Sequence, residues 1–195
     1  KVTSLFTPNV NYVENIEEDR KTFRNRIKII EQYKKPSKLL DVGCAIGTFM
    51  DEAKKRGWDP YGLDINKSAI EYCKNRLNLN AKVAKIESSG FKPATFDVVV
   101  MNDFLEHVPD PISTLKHAYR LLKKGGILFI VTPNIGSILA NITKRRWLHL
   151  KPDEHIYYYS PKTVRILLNK ANLKMVRWKP IGRVRNLEVI AYKSQ

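Results

Sequence analysis

A chain of 195 residues, 43% apolar and 10% aromatic, carries enough hydrophobic material for one packed domain and too much for a disordered segment. Its net charge of +16 points either to an anionic partner or to a well-hydrated, lysine-rich surface. The longest purely apolar run, Ile127–Val131, is far too short to cross a bilayer, so no membrane span is expected.

The opening residues, Lys1 to Pro8, lack the apolar core of a signal peptide, although a start at Lys1 instead of Met leaves room for residues upstream. Only two cysteines occur, Cys44 and Cys73, and they lack metal-ligand spacing. A reducing, cytoplasmic setting is therefore expected, and no metal site. The first dozen residues read as an irregular arm. Phe23, Ile27 and Ile30 fall on one face of a helix over 20–33, which Pro36-Ser37 ends. A strand follows over Lys38–Val42, then a helix over Thr48–Arg56 closed by Gly57. A second strand reaches Asp64. Asn66 can cap the next helix, whose inward face is Ile70, Cys73 and Leu77.

A weaker strand is expected over Ala81–Ile86, and a doubly buried one, rich in valine, over Phe96–Met101. Asp110-Pro111 opens a helix with a cap and a proline at the first helical position, and its stripe is Ile112, Leu115, Tyr119 and Leu122. Gly125-Gly126 is expected to stop it before a strand over Ile127–Thr132. Ser160-Pro161 starts a last helix by the same device, with Val164, Leu167, Leu168 and Ala171 inward and Asn172 at its end. Two closing strands, Lys174–Lys179 and Leu187–Tyr192, flank Gly182 without an intervening helix and should pair antiparallel. The expected fold is α/β: a doubly wound, mostly parallel seven-stranded sheet with an antiparallel C-terminal strand.

The most informative stretch is Leu39-Leu-Asp-Val-Gly-Cys-Ala-Ile-Gly-Thr-Phe-Met50: an apolar strand, a glycine-spaced turn and the start of a helix. A backbone that must approach a nucleotide closely needs small residues at such a turn. Asp64 ends the second apolar run, 23 residues after Asp41, where a carboxylate can accept both hydroxyls of a ribose. The turn is G-x-x-x-G, not the G-x-G-x-x-G of a dinucleotide dehydrogenase, which is the nearest competing fold.

Four segments in order, Leu39–Gly47, Gly62–Asp64, Phe96–His107 and Leu121–Asn134, resemble the class I S-adenosylmethionine-dependent methyltransferases, most of all the small group that includes the ubiquinone-biosynthesis O-methyltransferases. His155–Val164 is similar to that group's substrate-side region. The resemblance implies a single domain: an N-terminal arm and helix (1–35), a cofactor-binding half (36–134), and a substrate-side segment with a closing hairpin (135–195). It implies that Asp41, Gly43, Ala45 and Gly47 shape the loop around the methionine part of the cofactor, that Cys44 and Phe49 also bind the cofactor, that Asp64 holds the ribose, that Ile65 packs on adenine and that Asn102 lies near the sulfonium. Two positions depart from the family pattern. Ala45 stands where glycine is usual, which is acceptable only at negative φ, so a negative φ is expected there. Where many relatives carry an aspartate for the adenine amino group, this chain has Lys85-Ile86, leaving the Ile86 amide to meet the ring and Glu87 as a substitute.

Methyl transfer needs alignment and exclusion of water more than a conspicuous catalytic motif, though a hydroxyl acceptor gains from a base. His107 and His155 are the candidates, because imidazole titrates near neutral pH, with Asp103 a weaker one. Tyr12, Trp147 and Tyr157–Tyr159 either wall an acceptor pocket or pack the fold, and Lys144–Arg146, Arg183 and Arg185 can hold a phosphate or carboxylate. From Lys144 onward, 13 Lys or Arg face 3 Asp or Glu. The expected activity is transfer to a small molecule, at oxygen. A methyltransferase using this basic region on RNA or protein, and a cofactor-binding subunit without chemistry of its own, are the rival readings.

Overall fold

The computed structural model describes residues 16–147, 149–181 and 186–193. The expected arm, with Tyr12, and also Gly182, Arg183 and Arg185 lie outside these residues. Among the described residues six helices, α1 (Ile16–Glu31), α2 (Thr48–Lys55), α3 (Lys67–Leu77), α4 (Pro111–Leu121), α5 (Ile138–Thr143) and α6 (Pro161–Lys170), surround seven strands. The strands are β1 (Lys38–Val42), β2 (Asp59–Asp64), β3 (Asn80–Val83), β4 (Phe96–Asn102), β5 (Leu122–Pro133), β6 (Leu173–Ile181) and β7 (Asn186–Lys193). Their order is β3-β2-β1-β4-β5-β7-β6. β7 alone runs antiparallel, pairing with β5 on one side and β6 on the other.

Period-two alternation builds two cores, one on each face of the sheet. Leu39, Val98, Val100 and Phe129 point toward Ile27 and Ile30 of α1 and Phe49 and Ala53 of α2. Leu40, Val99, Met101 and Leu128 point the other way, toward Leu115 and Ala118 of α4 and Val164 and Leu168 of α6. The caps behave as their chemistry dictates. Asp110 accepts from the Ser113 amide at 2.9 Å, Asn66 from the Ala69 amide at 3.1 Å, and Ser160 forms a capping box with Thr163.

Several elements differ from expectation. α1 spans Ile16–Glu31, where a helix over 20–33 is expected. β3 stops at Val83, and Ile86 falls in a single 3-10 turn over Ile86–Ser88. α4 ends at Leu121, and β5 begins at Leu122 and runs through both glycines. The reason lies in the register with β4: Phe96 pairs with Leu122, but Val98 pairs with Ile127. The extra residues bulge out of the ladder, and Gly125, at φ +68°, takes the left-handed conformation that the bulge requires. α5 is a helix that the apolar pattern alone did not reveal.

Candidate active site at the carboxyl ends of the strands

The sheet order reverses between β1 and β4, so the loops leaving β1, β2 and β4 open a crevice at their carboxyl ends, the usual ligand position in such sheets. The turn after β1 is fixed from below and from the side. The Leu63 carbonyl accepts from Gly43 N–H at 2.7 Å and from Cys44 N–H at 3.0 Å, and Gly43 and Gly47 both have positive φ, +77° and +81°. A side chain on Gly43 would run into the Phe104 ring, and one on Gly47 would meet the Cys73 sulfur at 2.8 Å.

Ala45 corrects the expectation of a negative φ: it sits at +46°. Its amide donates to Asp64 Oδ2 at 2.9 Å and its carbonyl accepts from the Cys73 thiol at 3.3 Å, and these bonds hold a left-handed alanine in place. That conformation costs an L-residue about 1–2 kcal/mol, part of which glycine returns through its freer unfolded chain. Ala45→Gly should therefore stabilise the fold by about 0.5–1 kcal/mol, read as a higher urea midpoint at unchanged m-value. A lower midpoint would contradict the strain. Asp64 Oδ1 in turn accepts from the Asn66 amide at 2.8 Å, so one carboxylate joins the turn after β1 to the start of α3. Ile65 beside it is 60% exposed.

A buried cation organises the other side of the crevice. Arg26, 7% exposed on α1, donates through Nη1 to Asn102 Oδ1 at 3.0 Å and to Asp103 Oδ2 at 3.2 Å. Its Nε, Asn102 Nδ2 and Asp41 Oδ1 are all buried without a hydrogen-bond partner among the described residues. Burial raises the Asp41 carboxyl to about 7, the nearby Asp64 charge adds to this, and Arg26 opposes it. Burial, with Asp103 close by, likewise raises Glu106 to about 8.

The two predicted histidines meet. Their rings lie 4.9 Å apart, edge to face. His107 Nδ1 is 2.8 Å from the Glu154 carbonyl and His155 Nδ1 is 3.0 Å from the His149 carbonyl. A carbonyl only accepts, so each Nδ1 carries the hydrogen and each Nε2 keeps the lone pair. Burial lowers the His155 pKa and favours the neutral ring.

A family model described as "Methyltransferase domain" matches residues 12–177. This chain belongs to that methyltransferase family. A ubiquinone biosynthesis O-methyltransferase of Aliivibrio fischeri is 32% identical over 149 residues, which are 70% of this chain and 64% of that relative, so the match spans less than two thirds of the relative's length. A SAM-dependent methyltransferase of Methanosarcina mazei superposes with TM-score 0.69 at 25% identity, covering 85% of this chain and 96% of its own. The fold also matches, at TM-score 0.72 and 16% identity over 93% of this chain and 82% of the other, a Burkholderia thailandensis 1,6-didemethyltoxoflavin-N1-methyltransferase crystallised with bound 1,6-didemethyltoxoflavin and S-adenosylhomocysteine.

In this methyltransferase domain the predicted residues divide into two groups. Asp41, Gly43, Ala45, Gly47, Asp64, Ile65 and Asn102 gather around the crevice, whereas the Cys44 side chain is buried among Met50, Ile70 and Cys73, leaving only its backbone to line the turn. Phe49 does not reach the crevice: it is 2% exposed and packs edge-on against Phe23 at 5.6 Å, in the core beneath α1. The Ile86 side chain is also buried in the core, so only its backbone can serve a ligand. Glu87 accepts from the Thr114 hydroxyl at 2.8 Å, which turns it toward α4. Tyr159 donates to the Leu105 carbonyl at 3.2 Å and Tyr157 to the Pro109 carbonyl at 3.1 Å, so these two tie the loop after β4 to the segment before α6. Sequence reasoning missed Arg26 and Glu106. The available signal for Arg26 was a charge three residues from Phe23 and four from Ile30, on the apolar stripe itself.

Proposed function

We propose that this chain is an S-adenosylmethionine-dependent methyltransferase that methylates a hydroxyl oxygen of a small molecule. Residues 36–134 hold the cofactor, and 135–195 face the acceptor. The observation that carries this reading is the Asp64 carboxylate at the tip of β2, fixed by the Ala45 and Asn66 amides beside the exposed Ile65. Its remaining lone pairs accept the ribose hydroxyls, while Ile65 and the Ile86 amide meet adenine. The unpartnered buried atoms fit the amino-acid end of the cofactor: Asp41 Oδ1 accepts from its ammonium, and Arg26 Nε and Asn102 Nδ2 donate to its carboxylate. Gly43, Cys44 and Gly47 keep the turn narrow. The two buried, free cysteines fit a reducing cytoplasmic setting.

When bound, the cofactor supplies a methyl group on a sulfonium, already activated for displacement. The chain's own task is to align an acceptor oxygen with that methyl and to accept the proton the oxygen loses. The Nε2 lone pairs of His107 and His155 are the basic groups available at the end of β4. The test is calorimetric. The wild-type chain should bind S-adenosylmethionine, and Asp64→Ala should lose about 1.5–3 kcal/mol of that affinity, the scale of hydrogen bonds to a charged group. Labelled cofactor incubated with fractionated cell extract should pass its methyl to the small-molecule pool. Unchanged affinity in Asp64→Ala, or label confined to RNA or protein, would overturn the reading.

A further inference from the structure

One cluster is richer in ligand chemistry than proton transfer requires. One ring nitrogen from each of His107 and His155 and one carboxylate oxygen of Glu106 all lie within 4.8 Å of one another. We propose that Glu106, His107 and His155 form a binding site for one divalent transition-metal ion.

Three observations support this. Glu106 is 1% exposed, and its Oε2 accepts from the Thr132 hydroxyl at 2.9 Å while Oε1 is buried with no hydrogen-bond partner among the described residues. A buried carboxylate oxygen left without a donor is a costly arrangement that a cation relieves. Both imidazoles have Nδ1 bonded to a main-chain carbonyl, the supporting contact that orients a ring and leaves Nε2 to bind a metal. The framework is also fixed from both ends. The Glu106 carbonyl accepts from the Ile156 amide at 2.9 Å and the Tyr157 amide at 3.2 Å, and this clamps the His155 segment onto the Glu106–His107 turn. Residues 48 positions apart in the chain are thereby held in one cluster.

Two imidazoles and one carboxylate are the donor set of zinc or another first-row divalent ion, not of magnesium or calcium, which prefer all-oxygen shells. Three protein ligands leave a coordination position open. The role at that position rests on the methyltransferase reading; the ion site itself does not. There the ion binds the acceptor hydroxyl and lowers its pKa, so that its proton leaves to solvent. The oxygen then forms its bond to the methyl carbon as the carbon–sulfur bond breaks, and that electron pair stays on sulfur. The histidines then act through the ion instead of as free bases.

The experiment uses the purified chain stripped with EDTA and titrated with Zn2+ alone, and separately with Co2+, whose visible absorption reports imidazole ligation. One Zn2+ should bind per chain and raise the melting temperature by mass action. His107→Ala and His155→Ala should each weaken binding by at least about 100-fold, beyond the effect of losing an outer-shell partner, and Glu106→Gln should weaken it as well. His117→Ala, whose ring bonds the Ser113 carbonyl on α4, should bind as the wild type does. Circular dichroism melts of each variant separate lost binding from lost fold. Where an alanine variant unfolds, the asparagine variant at the same position takes its place. Absence of stoichiometric binding, or equal binding in the His107 and His155 variants, would overturn the site. S-Adenosylmethionine affinity is measured in parallel on the stripped and the Zn2+-loaded chain: failure of both to bind it would sink the methyltransferase reading and leave the ion site standing.

Discussion

Arg26→Ala should destabilise the fold by about 3 kcal/mol, the lower end of the cost of removing one partner from a buried ion pair. The figure is kept low because Asp103 is half exposed and water will compensate part of its charge. Three consequences add up. Asn102 Oδ1 loses its donor, Asp103 loses its cation, and Asp41 and Glu106 lose the positive charge that offsets their burial. Arg26→Lys should recover some of the charge term but not the fork that bonds two acceptors at once. Denaturant titration of the three proteins checks this, and a loss under about 1 kcal/mol in the alanine variant would mean that Arg26 is merely a packed side chain.

The second large effect is a pH dependence that Asp41 writes into the cofactor-free protein. Its folded pKa of about 7 lies above the ordinary 3.8, chiefly through burial. Between these values the folded chain holds a proton that the unfolded chain has released, so stability falls as pH rises. The contribution is complete below about pH 4 and lost by about pH 7, a span on the order of 4 kcal/mol at 1.36 kcal/mol per unit. Glu106 acts in the same direction over a window ending near pH 8. Glu31, Asp51 and Glu52, held down by their arginine and lysine partners, act oppositely and only in acid. Asp41→Asn removes the first share alone, so the stability difference between variant and wild type should widen in the variant's favour from pH 4 to pH 7. Parallel curves would refute the assignment. S-Adenosylmethionine, as a cation, should bind the wild type more tightly as pH rises through 7 and the asparagine variant much less so.

The parts that were legible in the sequence depend on neighbours in the chain. The Asp41–Gly47 turn, the Asn66, Asp110 and Ser160 caps and most of the strands are each written within a dozen residues, and the structure places these within a residue or two of expectation, β3 and the start of β5 excepted. Gly125-Gly126 misled because the same dipeptide serves a helix stop and a bulge, and only the register against β4 decides between them. Ala45 misled for a related reason: its φ is imposed by Asp64, 19 residues on. Arg26 reaches across 76 residues to Asn102, and Glu106 across 26 to Thr132. No periodicity encodes such pairings. The meeting of His107 with His155 depends on the clamp between Glu106 and the Ile156–Tyr157 amides, which apolar patterning does not register.

The placement of β7 between β5 and β6 has a consequence for synthesis. A strand that enters the interior of a sheet after both of its neighbours leaves β5 with an unsatisfied border while the nascent polypeptide is still emerging. Until residues 186–193 clear the ribosome, that border is a template for wrong pairing. The parallel half, with its crevice, can assemble earlier, but the sheet closes only as the final hairpin zips in.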